Sequence, residues 1–240
     1  MKERADSLLV SRKLCDSREI AKRLILAGEV LTGTTVVSKP STKLDVDAPL
    51  LVKQKPKYVS RGGLKLEGAL KHFGFDPEGL LCLDCGASTG GFTDCLLQAG
   101  AVKVHAIDVG TNQLVWKIRS DDRVVVKEKF NARHMVPEDI GEQVDLCVTD
   151  VSFISLTKIL PPLFKVLKPG GHIICLVKPQ FELQRHEVGK GGIVKDPELH
   201  QKAVDKIRSF VTEALGYQWL DYTTSPITGT DGNVEYLALL

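Results

Sequence analysis

One stretch constrains this chain more than any other: LDCGASTGGFTDCLLQAG, residues 83–100, where an apolar run ends in an acid and a glycine-rich turn opens directly into a helical pattern. A strand that leaves into a helix cannot fold back as a hairpin. Such a junction suits a crossover to a parallel strand. The same alternation continues from residue 61 onward. Helices are expected over 61–73, 91–98, 112–118, 156–167 and 197–215, and strands over 80–85, 102–108, 124–127, 144–149 and 171–177, with closing strands over 217–223 and 234–240. Such a sequence predicts an α/β domain built on a parallel, doubly wound sheet.

The front of the chain is written differently. Residues 1–60 hold 12 Lys+Arg against 7 Asp+Glu, a net of +5, whereas residues 61–240 hold 20 against 23, a net of −3. Helices are expected over 5–13 and 17–27, the second with Asp16 and Glu19 at capping-box spacing and Gly28 as its stop. Short strands over 30–32, 35–38, 43–47 and 51–53 form a small sheet, so residues 1–53 read as a separate α+β domain and the polar stretch 54–60 as a linker to 61–240. The excess positive charge suits a module that meets phosphates, with Arg4, Arg18, Lys22 and Arg23 as its candidate contacts; a solvated helix face is the plainer alternative.

Composition narrows the class further. At 43% hydrophobic and 26% charged, the chain is ordinary globular material, and no apolar run approaches the roughly 18 residues that span a bilayer. Its first residues, MKERADSLLVSRKL, lack a secretion signal, which predicts a cytoplasmic protein with reduced, buried cysteines. Cys82 and Cys85 stand three apart in a strand, where side chains face opposite ways, and no histidine falls in an H-E-x-x-H pattern, so no metal site is expected.

The glycine turn is a candidate ligand site. Gly86, Gly90 and Gly91 permit a tight turn after Asp84, and a helix N-terminus offers backbone NH groups to a carboxylate or phosphate. The pattern is neither G-x-x-x-x-G-K-[ST] nor G-x-G-x-x-G, which counts against the usual nucleotide loops, and alone the turn reads equally as a purely structural link from strand to helix. About twenty residues on, VHAIDVG places Asp108 where a carboxylate can accept both hydroxyls of a ribose, and the pair predicts a nucleoside cofactor. Four further residues fall at strand ends or beside the sheet. Lys65 lies on the helix before the first strand, Asp150 ends VDLCVTD, Lys178 ends IICLVK and Glu235 opens the last strand. In a doubly wound sheet these border one crevice; taken singly, each also reads as a solvated or loop charge.

The form D-x-G-A-S-x-G-G-F followed by I-D-V-G resembles the Rossmann-like S-adenosylmethionine methyltransferases. That resemblance implies that the turn from Asp84 through Ser88 to Phe92 contacts the methionine part, that Asp108 holds the ribose and that Asn131 lies by the adenine. Lys65, Asp150, Lys178 and Glu235 together resemble the Lys-Asp-Lys-Glu tetrad of ribose 2′-O-methyltransferases related to FtsJ. SREIAKRLILAGEVLTGTTVVSKPSTKL, residues 17–44, resembles the S-four RNA-binding domain, with Thr32-Gly33 where that family usually has Asn-Gly. The two halves jointly resemble the TlyA family, including SRGGLKLEGAL, TDVSFISL, LVKPQFE and GNVEYLALL. Membership implies 2′-O-methylation of cytidine in ribosomal RNA, with S-adenosylmethionine as cofactor, Lys178 as base or hydroxyl-orienting residue, and ribosomal RNA or a ribosomal subunit as partner. The rival readings are a membrane-lytic protein, as the hemolysin label of that family suggests, and an RNA-binding protein with an inactive methyltransferase fold. Residues 179–196 read either as a lid over substrate or as a surface loop.

Overall fold

The computed structural model describes residues 2–53, 56–229 and 231–240. It divides into two compact units, Met1–Pro56 and Lys57–Leu240.

The front unit runs β1 (Lys2–Arg4), α1 (Ala5–Ser11), α2 (Arg18–Leu26), β2 (Val30–Thr32), β3 (Thr35–Val36), β4 (Lys43–Asp45) and β5 (Leu50–Val52). Its core is small: Ala5, Leu9, Ala21 and Ile25 from the helices close on Val30 and Val37. The N-cap of α2 is Ser17 rather than the expected Asp16. Ser17 has the extended backbone a cap requires, and its hydroxyl accepts the Ile20 N–H at 3.3 Å. The expected single sheet is two. β3-β2-β5 form one, while β4 pairs instead with β1, Lys2 opposite Asp45. The segment Lys-Glu-Arg of β1 has no apolar alternation, so nothing in its pattern marks it as a strand. Gly33 takes φ 58° at the first turn position of the β2–β3 hairpin, where a two-residue loop calls for a positive φ.

The second unit continues with α3 (Gly62–Phe73), β6 (Leu81–Cys85), α4 (Gly91–Gln98), β7 (Lys103–Ile107), α5 (Trp116–Arg119), β8 (Val124–Lys127), α6 (Pro137–Ile140) and β9 (Val144–Thr149). It closes with α7 (Leu160–Val166), β10 (Leu167–Val177), α8 (Pro179–Glu182), α9 (Pro197–Ser209), β11 (Asp221–Thr224) and β12 (Tyr236–Leu239). The strands make one sheet in the order β11-β12-β10-β9-β6-β7-β8. The sheet is mixed rather than wholly parallel: β12 lies antiparallel to both β10 and β11. Both faces are buried, which is why the strands read as continuous apolar runs. Leu83, Cys147 and Ile173 face one layer with Leu163 and Ile207; Cys82, Val104 and Leu146 face the other with Leu66 and Leu96.

Several expected boundaries shift for physical reasons. The helix expected over 156–167 is a short turn, Leu156–Lys158, followed by α7, because Pro161 and Pro162 bring no N–H to a continuous ladder. The one expected over 197–215 ends as an α-helix at Ser209 and finishes in a wider turn, Phe210–Ala214. Of the stretch expected as linker, Gln54 and Lys55 lie outside the described residues, but 57–60 pack into the second unit. Tyr58 is buried across Gly63, where any Cβ would collide with its ring, and the Val59 N–H is held by Asp94 Oδ2 at 2.9 Å. All six cysteines are free, and burial pushes the Cys82, Cys85, Cys95 and Cys175 thiols up to about 12. No helix among the described residues is long and apolar enough to cross a membrane.

Candidate active site

From β6 the chain runs outward through β7 and β8, then returns to β9 and β10 on the other side of β6. The strand order reverses there, and a crevice opens at the carboxyl ends of β6 and β9. Gly86 leaves β6 with φ 86°, and a Cβ on it would come 2.9 Å from the Asp150 carbonyl oxygen. Only glycine lets the two strand exits lie this close.

Asp108 pins the turn. Its Oδ2 accepts the Ser88 N–H at 2.8 Å and its Oδ1 the Gly110 N–H at 2.7 Å. One of the backbone donors expected to await a ligand is therefore taken by the protein's own carboxylate, although each oxygen keeps a second lone pair. A cleft of about 540 Å³ opens here, lined by Gly86, Ser88, Asp108 and Asn131 and walled by the apolar Phe130 and Ile154. Asn131 has two roles, since its Oδ1 also caps the following turn by accepting the Arg133 N–H at 3.2 Å.

The rest of the expected turn lies elsewhere. Asp84 is fully buried beneath the turn and lines neither cleft; its Oδ2 accepts the Thr93 hydroxyl at 2.6 Å, and its Oδ1 has no protein partner. Burial pushes this carboxyl up to about 7, against the downward pull of the Thr93 hydroxyl. Gly90 is also away from the cleft. It is glycine because it caps α4 at φ 99° and a Cβ would press on Leu114 at 2.9 Å. Gly91 and Phe92 line a second cleft, of about 870 Å³, together with Lys65, Lys178 and Glu235. The two clefts share Gly86, Ser88, Asp150, Ser152 and Phe153.

At that junction the structure brings four distant residues together. Lys65 comes from the inner face of α3, Asp150 from the end of β9 and Lys178 from the end of β10. Glu235 precedes β12, and because β12 is antiparallel its start stands at the same edge, Tyr236 opposite Val177. Lys65 Nζ lies 2.5 Å from Glu235 Oε2 and 3.7 Å from Asp150 Oδ2, and Lys178 Nζ lies 2.5 Å from Asp150 Oδ1. Cation and anion alternate along one line, and the formal charges cancel. Lys65, Lys178 and Glu235 are each less than one-tenth exposed, so every ammonium depends on these partners.

Sequence reasoning missed three residues at the rim. Ser152 accepts a hydrogen bond from Lys178 Nζ at 2.9 Å. Phe153 is 91% exposed with φ 62°, and its ring centroid is 5.2 Å from that of Phe181. Ser152 is detectable as the second residue past the strand-ending Asp150; an exposed phenylalanine in a left-handed conformation leaves no periodic signal.

In the front unit the four expected cations divide. Arg4 forks onto Asp6, Nε to Oδ1 and Nη2 to Oδ2, both at 2.9 Å, and Arg18 Nη2 reaches the same Oδ2 at 3.0 Å. Asp6 is fully buried, and the Arg4 guanidinium, seconded by Arg18, holds its carboxyl well below the usual range. Lys22 pairs with Glu19 one turn back at 2.9 Å, and Arg23 is exposed.

A glycine turn pinned by the acid of the next strand, in a sheet ordered β11-β12-β10-β9-β6-β7-β8, defines the S-adenosylmethionine-dependent methyltransferase class. Residues 58–240 match the FtsJ-like methyltransferase family and residues 3–49 the S4 domain. The chain belongs to the FtsJ-like methyltransferases. It is 46% identical over 239 residues to the TlyA protein of Mycobacterium tuberculosis, named a 16S/23S rRNA (cytidine-2'-O)-methyltransferase, covering 99% of this chain and 89% of that one. It is 47% identical over 237 residues to the protein named Hemolysin A of Brachyspira hyodysenteriae, covering 98% of each. A solved chain from Streptococcus thermophilus that carries the hemolysin name superposes with a TM-score of 0.76 at 46% identity, covering 99% of this chain and 87% of that one.

Proposed function

We propose that this chain methylates the ribose 2′-hydroxyl of a cytidine in ribosomal RNA, in the cytoplasm, with residues 1–53 gripping the RNA and residues 61–240 carrying out the transfer. The observation that carries the reading is the line Glu235–Lys65–Asp150–Lys178, assembled where the two clefts meet. The relatives' names supply the cytidine and the ribosomal RNA.

The residues present fit the cofactor. In the first cleft Asp108 has lone pairs for ribose hydroxyls, Asn131 and Phe130 offer a polar edge and an apolar wall for a base, and Gly86 and Ser88 offer bare backbone toward the junction. Asp84, Gly90, Gly91 and Phe92 shape the turn that presents them. S-adenosylmethionine, when bound, supplies a methyl group already activated on a sulfonium. What remains for the protein is alignment and one proton. Lys178 orients the acceptor hydroxyl and takes its proton. A lysine that accepts a proton must first give one up, and Asp150, ion-paired with Lys178 at 2.5 Å though not aligned as a hydrogen bond, is the carboxylate that receives it once the two align. Lys65, clamped by Glu235, keeps Asp150 in place. The four-residue line is formally neutral, so it gains one positive charge with the hydroxyl proton; one is lost from the sulfonium as its methyl leaves, and the charge of the site as a whole is unchanged.

Mapping 2′-O-methyl groups on ribosomal RNA from cells with and without the protein tests the substrate; loss of a ribose methyl from one cytidine is expected, and a methylated base would overturn the reading. For the cofactor, Asp108→Ala weakens S-adenosylmethionine binding by roughly 1 to 3 kcal/mol in calorimetry, the scale of lost hydrogen bonds to a charged group.

A further inference from the structure

A carboxylate outside the tetrad ties together the two loops that carry it. Lys178 is followed at once by α8, whose last residue is Glu182; Asp150 is followed by the loop that reaches Ser155 and Leu156. Glu182 is 4% exposed, and it bridges the two. Its Oε1 accepts the Leu156 N–H at 2.8 Å, and its Oε2 accepts the Ser155 hydroxyl at 2.6 Å. From α9, Lys206 Nζ stands 2.9 Å from Oε2 and donates to the Glu182 carbonyl at 2.5 Å. The charge is thus matched and its oxygens are bonded, which is what a buried carboxylate needs to be retained.

The placement does more than satisfy the carboxylate. Lys178 joins the same two loops at the cleft through Asp150 and Ser152, and the Phe153 ring meets Phe181 beside them. Glu182 adds a second fastening at the far end of both loops. Between the fastenings lies Phe153, held at φ 62°, a conformation that persists only where the surroundings enforce it.

We propose that Glu182 is a positioning residue for methyl transfer: through Ser155 and Leu156 it fixes the loop bearing Asp150 and Ser152 against Lys178, so that Lys178 meets the acceptor hydroxyl in reactive geometry. Glu182 touches neither cleft's contents nor the reacting atoms. The inference rests on the role proposed above for Lys178.

The test is a double-mutant cycle on the full chain, read as single-turnover transfer of labelled methyl from S-adenosylmethionine to ribosomal RNA, well below the melting temperature of every variant. Glu182→Gln keeps the shape and is expected to slow transfer about 10- to 100-fold, the scale of a misplaced catalytic group, with cofactor affinity within about twofold of the parent. Because Glu182 acts through Lys178, adding Glu182→Gln to Lys178→Ala slows transfer no further; a merely structural residue would multiply the two losses. Ser155→Ala removes only the bridging hydroxyl, shows the same non-additivity at smaller size, and carries the test if Glu182→Gln does not fold. A normal rate in both single variants, or full multiplication in the double, overturns the proposal while a slow Lys178→Ala leaves the tetrad standing. Near-normal transfer by Lys178→Ala overturns the tetrad reading and this inference with it.

Discussion

The two units each bury an aspartate completely, and the two aspartates behave in opposite ways. Asp6 in the front unit meets two guanidiniums and its carboxyl falls well below the usual range; Asp84 in the second unit meets one hydroxyl and no cation, and its carboxyl rises to about 7. Both are shut off from solvent, but Asp84 lies deep in the sheet, where the loss of hydration dominates, whereas Asp6 lies near the surface, where the guanidinium hydrogen bonds outweigh it. The clusters also differ in ratio. Two arginines share one acid at Asp6, leaving a positive surplus at the surface, whereas two lysines share two acids in the tetrad and leave none. A surplus suits holding a phosphate; a balanced buried line suits orienting a neutral hydroxyl and moving its proton.

The largest way to break this contrast is Lys178→Ala. It leaves Asp150 without its nearest cation, yet the cleft proposed for the cofactor keeps Asp108 and Gly86, so binding of S-adenosylmethionine is expected to persist while methyl transfer falls by ~10² to 10⁴, the usual loss for a positioned base. Single-turnover assays with nucleoside mass spectrometry read the rate and locate the label on ribose.

Asp6→Asn sharpens the contrast from the other side. Simple electrostatics makes RNA binding tighter when a negative charge is removed beside two arginines. If Asp6 instead aims both guanidiniums, affinity drops by roughly 1 kcal/mol, the scale of losing hydrogen bonds that order them, although the net charge has risen. Binding titrations across a salt series decide it, and tighter binding would return Arg4 and Arg18 to the role of unguided charges.

The smallest effect is in stability against pH. The folded carboxyl of Asp6 lies below its unfolded value, so its contribution is present above about pH 4 and is lost as the pH falls. Asp84 has the opposite sign: its folded value, about 7, exceeds the unfolded one, so its contribution is present at low pH and is lost as the pH rises toward 7. Asp84→Asn should therefore flatten the decline toward neutral pH, and Asp6→Asn the decline in acid. Chemical denaturation of both variants at several pH values measures each slope; identical slopes in parent and Asp84→Asn would mean that Asp84 is ionised in the fold.

The sheet was legible because both of its faces are buried, so β6, β9 and β10 announce themselves as apolar runs without needing neighbours. Asp150, Lys178 and Glu235 were legible as strand-end positions and Lys65 as a charge on the helix before the first strand, and the antiparallel β12 brings Glu235 to the shared edge. Less legible was anything set by contacts distant in sequence. β1 is a strand only because β4 offers it hydrogen bonds, and Ser17 replaces Asp16 as cap through backbone geometry that spacing alone does not reveal. Asp84 shows the limit most clearly. Its place before the glycines suggests a ligand contact, but a residue inside a doubly covered strand end can equally point down, and this one lies beneath the turn with Thr93.

The seating of Tyr58 and Val59 has a practical side. Anyone severing the two units to build a chimera would be drawn to cut just before α3, where the helical pattern begins. A cut there would strip the ring that covers Gly63 and orphan the Asp94 oxygen that now receives the Val59 N–H. The seam dictated by packing runs ahead of Lys57, several residues upstream of the one dictated by secondary structure, and a transplanted catalytic half should carry those residues with it.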